Sequence, residues 1–329
     1  MQKIPVIDIS AVYGDKEEAI ENVAKEIDSA CRNVGFLVIS GHGVQEKLTD
    51  SVLEFSRQFF DLPLERKMLV VRPSVDILRG YIPFRSETLT NSLGDQNKYG
   101  DKGGDLNESF MMGPPAVPAD DAYYHGPEAH NLFIANIWPE YPDHFRDALE
   151  RYYAEMSRLG ATIMELFARA LGLSKDFFVA KIDKTVSRLR IRNYPAVKHV
   201  PEQVRAGAHR DYGSLTILKA DTEIGGLQVD LDGRWIDVPI IPDTFVVNIG
   251  ELMERWTNNA WKATLHRVTT PDRDKISRRM SIVFFHNPNY DADISCIPTC
   301  VRSGETAAYP PTTSGEYLRS QFLKTQTGR

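Results

Sequence analysis

From residue 186 to residue 285 the hydrophobic period is two, and this stretch limits the fold more than any other. Val186 to Tyr194 sets Leu189 and Ile191 on one face and Arg188, Arg190, Arg192 and Tyr194 on the other. Short apolar runs follow at Leu215-Thr216-Ile217-Leu218, Leu227-Gln228-Val229, Trp235-Ile236-Asp237-Val238, Phe245-Val246-Val247-Asn248, Thr264 to Val268 and Met280 to Phe285. Asp232-Gly233 is a two-residue hairpin turn, because both positions tolerate positive φ. Many short strands with turns between them read as a sandwich, a jelly roll or a barrel.

The front of the chain is helical. Ile4-Pro5-Val6-Ile7-Asp8-Ile9 alternates as a short strand, and Ile20, Val23, Ala24, Ile27, Cys31 and Val34 then form one helical stripe stopped at Gly35. Phe36-Leu37-Val38-Ile39 is a buried strand, and His42 between Gly41 and Gly43 is a turn histidine. A second helix carries Leu48, Val52, Phe55 and Phe59 and ends before Pro63. The longest opens at Pro142, buries Phe145, Leu149, Tyr152, Met156, Leu159, Ile163 and Phe167, and closes at Gly172, with a shorter helix expected from Ser174. Thr313-Ser314-Gly315-Glu316 is a capping box for a last helix through Phe322.

Between these parts, about residues 72–131, periodicity is lost. Gly94, Gly100, Gly103-Gly104, Pro114-Pro115 and Pro118 punctuate it. A long irregular segment in a compact chain is usually functional, so it is expected to form a lid and mouth; a mere surface insertion is the competing reading. No linker composition appears, and one domain over 1–329 is expected. Its parts are a helical region 1–185, a β core 186–290 and a tail 291–329.

Composition excludes several classes. The formal charge of -6 argues against a nucleic-acid surface, and no run approaches the roughly 18 apolar residues of a membrane span. Met1 to Pro5 show no signal-peptide core. Cys31, Cys296 and Cys300 give no disulfide framework, and Cys296 and Cys300 lack the partners of a zinc site. A cytoplasmic location is the expectation.

Chemistry concentrates between His209 and Ser281. His209 and Asp211 are two apart, so on a strand or at its end both side chains reach one point. His266 follows 55 residues after Asp211, enough chain for a folded-back sheet to return it. Two imidazoles and one carboxylate leave about three octahedral positions open, which suits iron(II) with a chelating co-substrate and dioxygen. Arg279 and Ser281 share a strand face and match a carboxylate. His-x-Asp alone would be weak; the five residues together are informative.

These residues sit in longer motifs. Gly35-Phe36-Leu37-Val38-Ile39-Ser40-Gly41-His42-Gly43-Val44, Phe59-Phe60-Asp61-Leu62-Pro63, His209-Arg210-Asp211-Tyr212-Gly213, Gly225-Gly226-Leu227-Gln228-Val229, Asn248-Ile249-Gly250-Glu251, Leu265-His266-Arg267-Val268 and Arg279-Met280-Ser281 run from end to end. In them the chain resembles the isopenicillin N synthase-like family of non-haem iron, 2-oxoglutarate-dependent oxygenases. The resemblance implies a double-stranded β-helix core flanked by helices, with Fe(II) on His209, Asp211 and His266. It implies 2-oxoglutarate held at its far carboxylate by Arg279 and Ser281, with Tyr194 beside it. Arg192 stands two before that tyrosine, where many relatives carry asparagine. If Tyr194 faces inward, parity sends Arg192 and Arg190 inward too, in need of anions; the competing reading leaves them in water.

The implied activity is oxidation of a C–H bond by hydroxylation, desaturation or ring closure, in secondary or specialised metabolism, with release of succinate and CO2. Arg79, Tyr81, Phe84, Arg85, Phe110 and Phe285 are candidates to line the substrate site, for an organic acid or an aromatic or apolar natural product. Two rivals stand beside this: a same-fold oxidase that does not use 2-oxoglutarate, and a non-catalytic metal or ligand binder.

Overall fold

The computed structural model describes residues 3–93, 104–129, 131–196, 204–220, 225–269 and 277–326. Twelve strands among them form two sheets. The order in the larger sheet is β1 (Val6–Asp8), β2 (Phe36–Ser40), β10 (Phe245–Ile249), β7 (Leu215–Ala220), β12 (Arg279–His286), β5 (Arg188–Tyr194), β4 (Glu108–Met112) and β3 (Gly80–Ile82). The smaller runs β6 (Ala206–His209), β11 (His266–Val268), β8 (Leu227–Leu231) and β9 (Arg234–Asp237). This is a jelly-roll core with flanking helices. The larger sheet draws strands from the front and the back of the chain alike.

Helices α1 (Glu17–Asn33), α2 (Glu46–Phe60) and α4 (Phe145–Ala170) cover its outer face; α3 (Leu64–Met68), α5 (Glu251–Trp256) and α6 (Ser314–Gln326) are shorter. The stripe on α1 buries Val23, Ala24, Ile27, Ala30 and Cys31. The chain then turns sharply at Gly35, where φ is +71° and a Cβ would lie 2.1 Å from the Lys262 carbonyl. Any larger residue would push β2 away from the segment leading into β11. A second apolar cluster lies between the sheets, with Phe36, Val38, Tyr194, Ala206, Leu227, Val229 and Val268. The expected hairpin is present, with φ of 54° at Asp232 and 82° at Gly233. At α6 the Thr313 hydroxyl accepts from the Glu316 amide at 3.2 Å and the Glu316 carboxylate accepts from the Thr313 amide at 3.1 Å.

Two expectations change. The segment 72–131 is not irregular throughout, because β3 and β4 inside it add two strands to the larger sheet. Every residue of both is buried, so neither shows the alternation that marks a half-exposed strand. Gly94, Gly100 and Gly103 of the expected lid lie outside the described residues. The helix expected from Ser174 is only turns and one 3-10 stretch at Val179–Lys181. Conversely, α5 was not anticipated; six residues are too few to show a period.

Candidate metal and co-substrate site

The two sheets converge on His209, Asp211 and His266. Antiparallel pairing of β6 and β11 sets His266 opposite His209, ring centroids 4.3 Å apart. Asp211 lies just past the end of β6. Its position is secured from behind, where the Glu251 amide donates to the Asp211 carbonyl at 2.8 Å. Gly250 permits this approach, since a Cβ there would be 2.1 Å from the Gly213 carbonyl. One ligand atom from each of the three residues falls within 4.8 Å of the others, and the Asp211 Oδ1 is 3.8 Å from His209 Nε2 and 3.9 Å from His266 Nε2.

Neighbouring groups aim these atoms. His209 Nδ1 donates to the Gly207 carbonyl at 2.7 Å and His266 Nδ1 to the Thr264 carbonyl at 3.0 Å, which leaves both Nε2 lone pairs facing the centre. The Gly207 amide in turn donates to Asp105 at 3.0 Å, so β6 is braced at both the N–H and the C=O of Gly207. Burial drives the Asp105 carboxyl up to about 7. Asp211 Oδ2 accepts from the Thr216 hydroxyl at 2.6 Å and the Asn248 amide at 2.8 Å, so Oδ1 is the oxygen that remains.

Burial, together with the adjacent His266 ring, holds His209 well below the usual imidazole range. Burial alone would raise the Asp211 carboxyl, but the two histidines and the bonds from Thr216 and Asn248 outweigh it and lower it. Neutral imidazole and ionised carboxylate are the forms that bind a cation, and these shifts favour them at His209 and Asp211.

Two connected chambers open from this point. The inner one is bordered by Phe36, Arg192, Tyr194, Asn248, Arg279 and Ser281, with the triad. Arg279 is opposite Tyr194 in register and Ser281 opposite Arg192. Arg279 is 1 % exposed, its guanidinium 5.0 Å over the Tyr194 ring, and its Nε and Nη1 have no hydrogen-bond partner among the described residues. A buried cation with two spare donors beside a metal-type donor set fits a bidentate carboxylate.

The outer chamber has a volume of about 380 Å³. Met111, the β5 arginines, Tyr212 and Phe285 border it, and Leu318 and Phe322 of α6 close one side. His209, Asp211, Arg192 and Phe285 border both chambers. Parity along β5 therefore holds: Arg188, Arg190 and Arg192 point inward with Tyr194. Arg190 pairs with Glu87 and Ser109, Arg72 with Glu87 at 3.2 Å, and Arg192 donates to Asn107 at 3.2 Å.

Of the six residues expected to line a substrate site, Arg85 and Phe285 border the outer chamber; Arg79, Tyr81, Phe84 and Phe110 border neither chamber. Arg79 is fully buried and donates to the carbonyls of Leu78, Leu132 and Ile134 at 2.6 to 3.2 Å, a structural clamp. Phe84 is 38% exposed at the surface. Tyr81 and Phe110 face each other across β3 and β4, and Phe110 pairs with Ile191, on the side away from the arginines. There Phe110 packs on Phe59 and Phe145, and the Tyr81 hydroxyl donates to Glu108 at 2.5 Å. Met111, one residue on, is the β4 side chain that borders the chamber. Thr216, Asn248, Arg188 and the α6 residues went unassigned from sequence; for Arg188 the signal was the i, i+2 spacing of the arginines.

Two family models match the chain. One, described as non-haem dioxygenase in morphine synthesis N-terminal, covers residues 4–141. The other, 2OG-Fe(II) oxygenase superfamily, covers residues 185–288. Validamycin A dioxygenase of Streptomyces hygroscopicus subsp. limoneus is 31% identical over 98% of this chain and 87% of its own length. A homoarginine-6-hydroxylase of Oryza sativa subsp. japonica is 32% identical over 97% of this chain and 96% of its own. The crystal structure of a full-length Neurospora crassa protein in complex with alpha-KG and thymine superposes with a TM-score of 0.83 at 30% identity, covering 98% of this chain and 97% of the other.

Proposed function

The chain belongs to the 2OG-Fe(II) oxygenase superfamily as an iron(II)- and 2-oxoglutarate-dependent dioxygenase acting on a small molecule, and we propose that its reaction centre is the His209, Asp211 and His266 triad with Arg279 beside it. The observation that carries this reading is the buried Arg279 guanidinium, with two unpartnered nitrogens, in the chamber that the triad itself borders. Iron(II) bound there supplies activation of dioxygen for oxidation of a C–H bond, coupled to conversion of 2-oxoglutarate to succinate and carbon dioxide. His209 and His266 give their Nε2 atoms and Asp211 its Oδ1, each oriented by the hydrogen bond on its other polar atom.

Arg279 receives the far carboxylate of 2-oxoglutarate, and the Ser281 hydroxyl adds a donor from the same strand face. Tyr194 and Arg192 flank it from β5. No side chain is assigned as a general base, because the chain contributes position and exclusion of water rather than proton transfer. The substrate enters the outer chamber, between the segment preceding β4 and the tail helix α6. A cavity of about 380 Å³ suits a small molecule. Validamycin A, homoarginine and thymine, named with the relatives, support that scale. The walls, apolar at Met111, Phe285 and Phe322 and cationic along β5, favour an organic acid with a ring-bearing or apolar body.

The test is iron(II) titration and succinate formation in wild type and His209→Ala. The variant is expected to stay folded by circular dichroism while losing both. Undiminished iron uptake and succinate release would remove the triad from this role.

A further inference from the structure

The outer chamber holds a second unpaired guanidinium, Arg188. It stands at the start of β5, four residues before Arg192, opposite Phe285 in register and 7% exposed. Its Nε is buried and has no hydrogen-bond partner among the described residues, and no ion pair or hydrogen bond joins its guanidinium to another described side chain. The Phe322 ring of α6 lies 4.9 Å from it.

The other cations of this chamber are engaged. Arg190 and Arg72 share Glu87, Arg192 is on Asn107, Arg210 donates to the Ala263 carbonyl at 2.8 Å, and Arg85 has a partner of its own. Glu87 is thus committed, and Asp211 belongs to the triad. Burial, with the Arg79 cation nearby, lowers Arg188 to about 9, so it remains charged at neutral pH at the cost of desolvation. A desolvated cation without a counter-charge is unfavourable unless an anion arrives.

We propose that Arg188 is the anchor for a carboxylate on the oxidised substrate, with Phe285, Tyr212 and Phe322 around the body of the molecule. The two arginines then divide the labour: Arg279, in the inner chamber, takes the co-substrate acid and Arg188, in the outer, the substrate acid, with His209 and Asp211 bordering both. The tail contributes directly, since the ring that flanks Arg188 comes from α6. This inference rests on the oxygenase reading of the site.

The test uses the full chain and matched pairs of probes: benzene-, indole- and cyclohexane-based acetic and propanoic acids, each with its primary amide. Calorimetric titration under anaerobic conditions gives Kd for acid and amide, on protein loaded with iron(II) and 2-oxoglutarate and on metal-free protein. The expected result is at least one acid bound tenfold or more tighter than its amide by wild type. That ratio falls to about one in Arg188→Gln and is partly kept in Arg188→Lys. Equal Kd for every pair, or no acid bound at millimolar concentration, overturns the proposal, as does a preference undiminished in Arg188→Gln. Should Arg188→Gln fail to fold, the wild-type ratio decides alone. Wild type that takes up neither iron nor 2-oxoglutarate would instead refute the oxygenase centre, whatever the acid preference.

Discussion

Replacing Arg279 by methionine should separate ligand binding from stability, because the two effects have opposite sign. Arg279 is 1 % exposed and its Nε and Nη1 are unpartnered. Bonds to a charged group are worth roughly 1.5–3 kcal/mol each, so two of them to a carboxylate give about 3–6 kcal/mol. At 1.4 kcal/mol per tenfold, the Kd for 2-oxoglutarate should rise by roughly 10²- to 10⁴-fold. In the unliganded protein burial lowers the neighbouring Arg205, and the same change removes a buried like charge that adds to that effect. What is lost is the contact over Tyr194, worth about 0.5–2 kcal/mol.

The unliganded variant should therefore melt at or above the wild-type temperature. A differential scan with 2-oxoglutarate and a redox-silent divalent metal reads both terms. At a concentration 100 times the wild-type Kd, wild type gains about 2.7 kcal/mol, whereas a 100-fold weaker variant gains only about 0.4 kcal/mol. Arg79→Met is the control. Each nitrogen of its guanidinium donates to a backbone carbonyl, so that substitution should destabilise by several kcal/mol and leave the 2-oxoglutarate shift in place. If Arg279→Met instead melts well below wild type and keeps the full ligand shift, the argument from unpartnered nitrogens is wrong.

Asn248→Ala leaves the Asp211 Oδ2 with Thr216 alone, and iron(II) affinity is expected to drop about 10- to 100-fold in a folded protein; metal titration with unchanged affinity would count against the orienting role. Glu87 gives a pH signature. Burial pushes its carboxyl up, but Arg190, Arg192 and Arg72 outweigh this and hold it down to about 2, against an ordinary 4.5. A lowered folded-state value means stability that is complete above about 4.5 and lost as pH falls towards 2, on the order of 3 kcal/mol at 1.36 kcal/mol per unit. Urea unfolding of wild type and Glu87→Gln from pH 7 to pH 3 should show a gap that narrows with acid, and a gap independent of pH would contradict the linkage.

Much of this molecule is written in local pattern. The alternation of Val186 to Tyr194 determined that Arg188, Arg190, Arg192 and Tyr194 share a face, because successive strand side chains point to opposite sides whatever surrounds them. The capping box at Thr313, the hairpin at Asp232-Gly233 and the stripes of α1 and α2 are equally local. The spacing of His209 and Asp211 and the arginine-serine pair named the chemistry before any contact was known. Tertiary structure decided the rest, for reasons of register and depth.

Which face of β4 meets the cavity depends on its pairing with β5: one step moves the choice from Phe110 to Met111. Arg79 and Arg279 are both arginines and both buried, yet one donates to carbonyls from each guanidinium nitrogen and the other does not, a difference set by chain segments more than 50 residues away from Arg79 in sequence. Sequence alone could say that an anion is wanted near Arg279. Only the folded chain, by committing Glu87 to Arg190 and Arg72 and leaving Arg188 beside Phe322, shows a second place where charge is still owed.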